Sequence, residues 1–177
     1  MQSYIFFIVL IFFGVRLVFL KTSKDNEKAI LEAGGCEYGA ENSKRLTILH
    51  ILFYLGCTVE SIIKGVNADR ISMAGIGLMV FSLIMLYVVS NLLKGIWTVK
   101  LMVAKNHKFN DHWLFRTVKH PNYFLNILPE LTGLTLLCHA YVTAAILSIP
   151  YLLVLGIRIK EENRVLKEIV IPNTVSK

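Results

Sequence analysis

Cysteine is scarce in this chain, and the three cysteines present follow no pattern typical of a cross-linked or metal-binding protein. Cys36, Cys57 and Cys138 are irregularly spaced, and no CxxC pair occurs. An odd number of thiols without regular spacing argues against a disulfide framework and against a thiolate metal site. We therefore expect neither disulfides nor a bound metal.

The chain also lacks any Ser/Gly/Pro-rich linker, internal repeat or low-complexity tract, so residues 1–177 are expected to form a single domain. Its net charge is +7, but the basic residues are scattered with little aromatic interleaving, which argues against nucleic-acid binding. In so apolar a chain, the first interpretation of the charge is membrane topology and contact with lipid headgroups.

Apolar residues are abundant: 55% of the chain is hydrophobic, too much for an ordinary soluble domain. Five apolar stretches can be marked, at 3–20, 46–63, 71–89, 123–137 and 141–159. Each has about 15–19 residues, near the lower limit for crossing a bilayer core of about 30 Å, and in lipid such segments must be helical. The first stretch has no basic residue before it and no small-residue cleavage site, so we interpret it as a retained span. The sequence thus predicts an all-α integral membrane protein with five transmembrane helices.

The distribution of basic residues predicts the orientation of these helices. Lys and Arg number five in 21–45, two in 64–70, six in 90–122, none in 138–140 and five from residue 158 onward. Because such residues collect on the cytoplasmic side, we expect a multi-pass protein of the cell membrane with its N-terminus outside and its C-terminus in the cytoplasm.

Two polar clusters flank the last two apolar stretches. One is Lys119-His120-Pro121-Asn122-Tyr123, and the other is Arg158-Ile159-Lys160-Glu161-Glu162-Asn163. A three-residue turn separates the stretches, so a C-terminal helical hairpin would bring both clusters to one membrane face. Cationic groups facing paired carboxylates could hold a charged, hydroxyl-rich cofactor in a cytoplasmic pocket. The alternative is that the second cluster is only a solvated helix end with i,i+4 ion pairs.

The fourth stretch carries a polar stripe. Asn122, Asn126 and Glu130 are spaced at i, i+4 and i+8, which places them on one face of a helix. Pro129 removes a backbone hydrogen bond within that stretch, so it should kink or open the helix where it faces protein or a cavity.

Glu130 is a candidate functional residue because a carboxylate within the membrane is costly. The alternative is that Glu130 is merely paired with a neighbouring helix, through Arg16 or Lys94. Arg16 itself most simply extends its guanidinium toward the membrane surface.

The second stretch carries a similar stripe of His50, Tyr54, Cys57 and Ser61. These side chains could form interhelical hydrogen bonds, with Cys57 a small packing residue. The other interpretation is that this face lines a chamber for a lipophilic substrate.

The two polar clusters resemble the isoprenylcysteine carboxyl methyltransferase family. The resemblance is carried by the first cluster, a hydrophobic hairpin, and then Arg158-x-x-Glu161-Glu162-x-x-x-Leu166, within a family core at about 97–170. The front half resembles a bacterial branch of that family through Asn26-Glu27-Lys28, Gly35-Cys36-Glu37-Tyr38-Gly39, Asn42-Ser43, Leu49-His50 and Phe53-Tyr54. The characterised activity of that branch is O-methylation of long-chain alkylpyrones made by type III polyketide synthases.

The chain departs from the family pattern at three places. Lys119 stands where Arg usually precedes His-Pro, which keeps the charge but loses the bidentate fork. The usual Gly-Pro-Tyr-Arg reads Trp113-Leu114-Phe115-Arg116, and Leu125 replaces a Gly. These departures favour the bacterial branch over methylation of prenylated proteins.

The resemblance implies an S-adenosylmethionine-dependent methyltransferase that releases S-adenosylhomocysteine. The residues it implies as cofactor contacts are Lys119, His120, Pro121, Tyr123, Arg158, Glu161 and Glu162. Arg158 lies one helical turn from both glutamates and could orient them.

We expect the acceptor, a lipophilic small molecule, to enter from lipid. The candidate acceptor-binding residues are His50, Tyr54, Asn122 and Asn126, and methyl transfer is placed near Asn126. Transfer to an ionised oxygen depends on alignment and exclusion of water, and His120 or Glu130 could serve as a base if one is used.

Three other functions stay open at this point. They are carboxyl methylation of a prenylated or lipidic cysteine substrate, a non-catalytic membrane subunit, and a sterol-type reductase, for which no phosphate-binding Arg cluster is evident. The 21–45 segment, broken by Gly34-Gly35 and Gly39, could be a lid, an interfacial segment or a solvated connection. Trp97 and Trp113 are most simply interfacial anchors.

Overall fold

The computed structural model describes residues 3–105 and 112–172. Its α-helices are α1 (Ser3–Glu32), α2 (Ala40–Lys64), α3 (Arg70–Leu92), α4 (Trp113–Thr117), α5 (Leu128–Cys138) and α6 (Tyr141–Val165). A π-helical segment, Asn122–Ile127, leads directly into α5, and a second, Leu166–Val170, extends α6. Two short strands, β1 (Cys36–Tyr38) and β2 (Leu101–Val103), complete the elements.

Four helices in the described part of the chain are long and apolar enough to cross a membrane. They are Tyr4–Glu32, Ala40–Lys64, Arg70–Leu92 and Tyr141–Val170, and they match four of the five apolar stretches. The remaining stretch, 123–137, forms six π-helical residues followed by the eleven residues of α5. At about 1.5 Å per residue this falls short of a core of about 30 Å, so a fifth crossing stays a prediction.

The segment after the first apolar stretch is more regular than the sequence indicated. The segment 21–45, expected to be a lid, an interfacial segment or a solvated connection, is helical in its first half, where α1 continues to Glu32. That polar extension contains several Lys and Glu residues, which are good helix formers, and it ends just before Gly34.

The all-α prediction was also incomplete, since β1 and β2 pair antiparallel. Cys36 lies opposite Val103 and Tyr38 opposite Leu101 in this two-stranded sheet. The sheet therefore joins the segment after α1 to the segment before the His-Pro motif. Pairing between residues so far apart in sequence has no local signal.

The membrane part of the fold is built from two close helix packings. α3 packs along α5 and the π-helical segment, while α6 packs mainly along α2. The backbones of α3 and α5 touch at Gly75 and Gly133, where a Cβ on Gly75 would lie 2.5 Å from the Gly133 carbonyl oxygen. The helical hairpin turns at His139 and Ala140, between α5 and α6.

Candidate active site

A cavity of about 160 Å³ lies where the start of the π-helical segment meets the end of α6 and the segment 93–103. From the two polar clusters, its lining includes Lys119, His120, Pro121, Asn122, Tyr123, Arg158 and Glu162. We call it the polar cavity. The hairpin thus brings most of the predicted cofactor contacts together, as the sequence indicated.

His120 connects the two clusters. Its side chain is buried, with Nδ1 3.2 Å from a Glu162 carboxylate oxygen and Nε2 3.1 Å from Asn163 Oδ1. Burial by itself would lower the pKa of His120, but the hydrogen bond and charge of Glu162 outweigh it and raise the pKa above its ordinary value. With both ring nitrogens facing acceptors, His120 is suited to act as a fixed cation rather than as a base.

Tyr123 and Arg158 continue this network. The Tyr123 hydroxyl donates to the other Glu162 oxygen at 2.7 Å and accepts from Arg158 Nε at 3.2 Å. Arg158 is buried, and it also donates to Ser43 Oγ at 2.7 Å and toward the Val99 carbonyl oxygen at 3.5 Å. The expectation that Arg158 orients the two glutamates was therefore wrong: its hydrogen bonds in the described residues go to neutral oxygens.

Glu161 is placed differently from Glu162. It accepts a hydrogen bond from Asn42 at 2.7 Å and lies so close to Gly39 that a Cβ at that position would clash with the carboxylate. Glu161 does not line the polar cavity. Neighbouring positions on a helix differ by about 100° in direction, so the two carboxylates point to different partners. This geometry does not support Glu161 as a cofactor contact.

A second cavity, of about 240 Å³, lies between α1, α2 and the π-helical segment. Its lining is mostly apolar, but it includes the predicted acceptor-binding residues His50, Tyr54, Asn122 and Asn126. We call it the apolar cavity. The two cavities share a wall formed by Trp97, Val99, Asn122, Tyr123 and Arg158.

Glu130 is buried behind the apolar cavity rather than in its lining. It forms an ion pair with Arg16 Nη2, accepts a hydrogen bond from the Tyr54 hydroxyl, and lies 3.7 Å from His50 Nε2. Of the two pairings considered from sequence, the structure has the one with Arg16. A carboxylate engaged in this way is poorly placed to act as a base on a ligand.

Asn126 links this ion pair to the wall between the cavities. Its Oδ1 accepts from Arg16 and from Ser82 Oγ, and its Nδ2 donates to Asn122 Oδ1 at 2.9 Å. These asparagines lie in the π-helical segment just before Pro129, where the Leu128 N–H bonds to the Tyr123 carbonyl oxygen. The helix therefore opens next to the proline, as the sequence predicted, and π-type turns of this kind recur at functional sites.

Two residues of the site differ from the simplest interpretation of the sequence. Trp97, interpreted as an interfacial anchor, is 4% exposed and lines both cavities, with a buried Nε1 that has no hydrogen-bond partner in the described residues. Arg16, expected to reach the membrane surface, points inward to Glu130. A charge within an apolar stretch was a signal that could have identified Arg16. Trp113 is exposed, so its role as an anchor stays a prediction.

Comparison with known proteins identifies the chain's relatives. The model of the isoprenylcysteine carboxyl methyltransferase (ICMT) family matches residues 75–168. An "uncharacterized protein" of Haemophilus influenzae is 41% identical over 84% of this chain and 87% of its own length. The "uncharacterized protein YpbQ" of Bacillus subtilis is 28% identical over 86% of this chain and 90% of its own length. No solved structure matches the chain.

Proposed function

Because the chain belongs to the isoprenylcysteine carboxyl methyltransferase family and is thereby a membrane methyltransferase, we propose that it methylates an oxygen atom of a lipophilic small molecule. The methyl donor in this proposal is S-adenosylmethionine. The observation that carries it is the shared wall between a polar and an apolar cavity, because a reaction between a water-soluble donor and an oily acceptor needs two such chambers in contact.

The polar cavity fits the chemical groups of S-adenosylmethionine. Lys119 would pair with the cofactor's carboxylate, and Glu162 would accept from its ammonium or ribose hydroxyls. His120 and Tyr123 both line the polar cavity, and their stacked rings lie 5.8 Å apart between centroids. The buried Nε1 of Trp97, which has no partner among the residues that the structure describes, supplies a further donor on its wall. When bound, the cofactor supplies an electrophilic methyl group on a sulfonium.

Arg158 is the group that we assign to the acceptor oxygen. A buried guanidinium is usually paired with a carboxylate, yet the described partners of Arg158 are the neutral oxygens of Tyr123, Ser43 and Val99. An anionic oxygen on the shared wall would complete its hydrogen bonding. Arg158 would thereby favour the ionised form of an acidic hydroxyl or carboxyl group and hold it in line with the methyl group.

This arrangement makes a general base unnecessary. The acceptor oxygen would lose its proton to solvent before transfer, and the cofactor, held by Lys119 and Glu162, would supply the methyl group and leave as S-adenosylhomocysteine. His120, Glu130 and Asn126 then act by positioning rather than by proton transfer, since each is held in the network described above.

Long-chain alkylpyrones are our first choice of acceptor, on the resemblance of the front half of the chain to the bacterial branch. An alkylpyrone has an acidic enol for Arg158 and a hydrocarbon tail for the apolar cavity. Carboxyl methylation of a prenylated cysteine is not favoured, and family membership argues against a non-catalytic subunit. The N-out, C-in orientation in the cell membrane and the lipid contacts are part of the same proposal.

Two measurements test this function. Titration calorimetry of the solubilised protein should detect binding of S-adenosylhomocysteine, and extracts of a strain that makes alkylpyrones should contain the methylated product only when this chain is present. Arg158→Gln should bind S-adenosylhomocysteine but lose about tenfold or more in methyl transfer, whereas Arg45→Gln, on an exposed position of α2, should behave as wild type. No binding of S-adenosylhomocysteine at millimolar ligand would refute the proposal.

A further inference from the structure

Arg16 presents an incompletely used guanidinium to the apolar cavity. Every contact described for it is made by one nitrogen, Nη2, which reaches Ser82 Oγ at 2.8 Å, Asn126 Oδ1 and the Glu130 carboxylate. A guanidinium carries five N–H donors, and two of them belong to Nη2. Because Arg16 also lines the apolar cavity, its remaining donors, on Nη1 and Nε, are available to a ligand there.

Glu130 holds Arg16 in this orientation. Its carboxylate is buried. One carboxylate oxygen accepts a hydrogen bond from the Tyr54 hydroxyl, and the other forms the ion pair with Arg16. The pair is therefore fixed before any ligand enters, which lowers the entropic cost of binding. Glu130 lies behind Arg16 and outside the cavity lining, so it supplies a counter-charge without meeting the ligand.

The two arginines that line the apolar cavity differ in their direct counter-charges. In the described residues, its lining contains two guanidinium groups, Arg16 and Arg158, and no carboxylate. Glu130 neutralises Arg16 from behind, whereas the described contacts of Arg158 are with neutral oxygens. A ligand that bears a single negative charge would balance the cavity.

The α1 side of the cavity, next to Arg16, suits a hydrocarbon tail. Phe13, Leu17 and Leu20 of α1 line the cavity, and each is more than a third exposed on the outer surface of the helix. In a membrane this surface faces lipid, so an acyl or alkyl chain can lie between these side chains while its head reaches the two arginines.

From these features we infer that Arg16 is a specificity-determining residue, which restricts the apolar cavity to amphiphiles whose head group is a monoanion with two oxygens. One oxygen lies at Arg158 on the shared wall, and the second accepts from Nη1 or Nε of Arg16. The inference rests on the proposed function, because it takes the ligand of this cavity to be the methyl acceptor. Carboxylates and conjugated enolates belong to this class, whereas simple alcohols and phenols do not.

Binding can be measured without turnover, by fluorescence. The chain has two tryptophans, so the Trp113→Phe variant leaves Trp97, which lines both cavities, as the sole emitter. The protein in phosphatidylcholine vesicles is titrated with dodecanoate and with dodecanol at alkaline pH. The two probes share a tail length, but only dodecanoate has a two-oxygen anionic head. We expect dodecanoate to bind about tenfold more tightly.

Two variants of Arg16 then separate recognition from structure. Arg16→Lys keeps the ion pair with Glu130 but loses the forked donors, and the double variant Arg16→Gln with Glu130→Gln removes both charges without leaving a buried one unpaired. In both, the preference for dodecanoate should fall about tenfold while dodecanol binds as before. Arg45→Lys, an equivalent change outside the cavity, should leave the preference intact.

The outcomes distinguish this inference from the proposed function. An unchanged preference in Arg16→Lys and in the double variant, or equal loss of both probes, would show that Arg16 is only a structural counter-ion. If the double variant does not fold, Arg16→Lys alone decides the question. Failure of wild-type protein to bind S-adenosylhomocysteine would instead refute the methyltransferase site, and it would leave the measured preference for dodecanoate and its dependence on Arg16 standing.

Discussion

The Tyr123 hydroxyl donates a hydrogen bond of 2.7 Å to Glu162, a residue 39 positions further along the chain. Tyr123 stands at the start of the π-helical segment and Glu162 near the end of α6, so this bond closes the helical hairpin at one end. His120 contacts the same carboxylate at 3.2 Å. The carboxylate of Glu162 is therefore the point at which the two polar clusters meet. Substitutions of Glu162 should weaken binding of the proposed cofactor more than substitutions elsewhere on α6.

Substitution of the adjacent glutamates tests this geometry directly. Glu162→Gln removes a charge that lines the polar cavity, so the affinity for S-adenosylhomocysteine should fall about tenfold or more. Glu161→Gln is the matched control, because the carboxylate of Glu161 contacts Asn42 outside the cavity. The affinity of this variant for S-adenosylhomocysteine should stay within about twofold of wild type. Titration calorimetry measures both. A larger loss for Glu161→Gln than for Glu162→Gln would contradict the assignment.

The close approach of α3 and α5 predicts the effect of a single methyl group. A Cβ on Gly75 would lie 2.5 Å from both the Gly133 carbonyl oxygen and the Leu137 nitrogen, and backbone atoms cannot move aside as side chains can. Gly75→Ala should therefore lower the free energy of unfolding by about 1–3 kcal/mol, since the helices must separate.

Gly77→Ala is the control for that substitution. Beyond its own stretch of α3, no atom of the described residues lies within 4 Å of a Cβ at Gly77, so the change should be neutral or slightly stabilising through helix propensity. Thermal unfolding in detergent compares the two variants. Equal melting temperatures would mean that α3 and α5 are not in backbone contact.

The raised pKa of His120 predicts a pH dependence of stability. Burial acts to lower this pKa, but Glu162 raises it overall, so the imidazolium is stabilised in the folded protein. The contribution should be fully present below the unfolded pKa of about 6.5 and lost as the pH rises through the higher folded value. The difference in melting temperature between wild type and His120→Asn should thus be largest at low pH and narrow toward alkaline pH. A constant difference would argue against a charged His120.

Cys36 provides a test of membrane orientation. It is exposed in β1, while Cys57 and Cys138 are fully buried, so a membrane-impermeant maleimide should react at Cys36 alone. With the N-terminus outside, Cys36 lies in the cytoplasm and should be labelled in cells only after permeabilisation. In a Cys36→Ser background, Asn67→Cys, in the exposed α2–α3 connection, should be labelled from outside. The reverse pattern would invert the proposed topology.

Most residues of the polar cavity were predictable from the sequence, because they lie in short motifs and because the connection between the two helices is simple. His120 and Tyr123 lie in one short cluster, Glu162 lies just after an apolar stretch, and a short turn between two helices must bring such clusters together. Glu161 was not predictable in the same way. A hydrophobic run indicates that a helix exists but leaves its rotation about its own axis open, and that rotation decides which of two neighbouring carboxylates faces the cavity.

By itself, the sequence determined the membrane-protein character of the chain, the positions of four of its five predicted spans, its family and the meeting of its two polar clusters. Each of these depends on composition, on local periodicity or on a short motif. The tertiary structure alone decided that Arg16 pairs with Glu130, that Trp97 lines both cavities and that β1 pairs with β2. Such contacts join residues far apart in sequence, and they form only when the helices pack in one particular arrangement, since the free energy that selects them belongs to the whole packed core rather than to any segment of it.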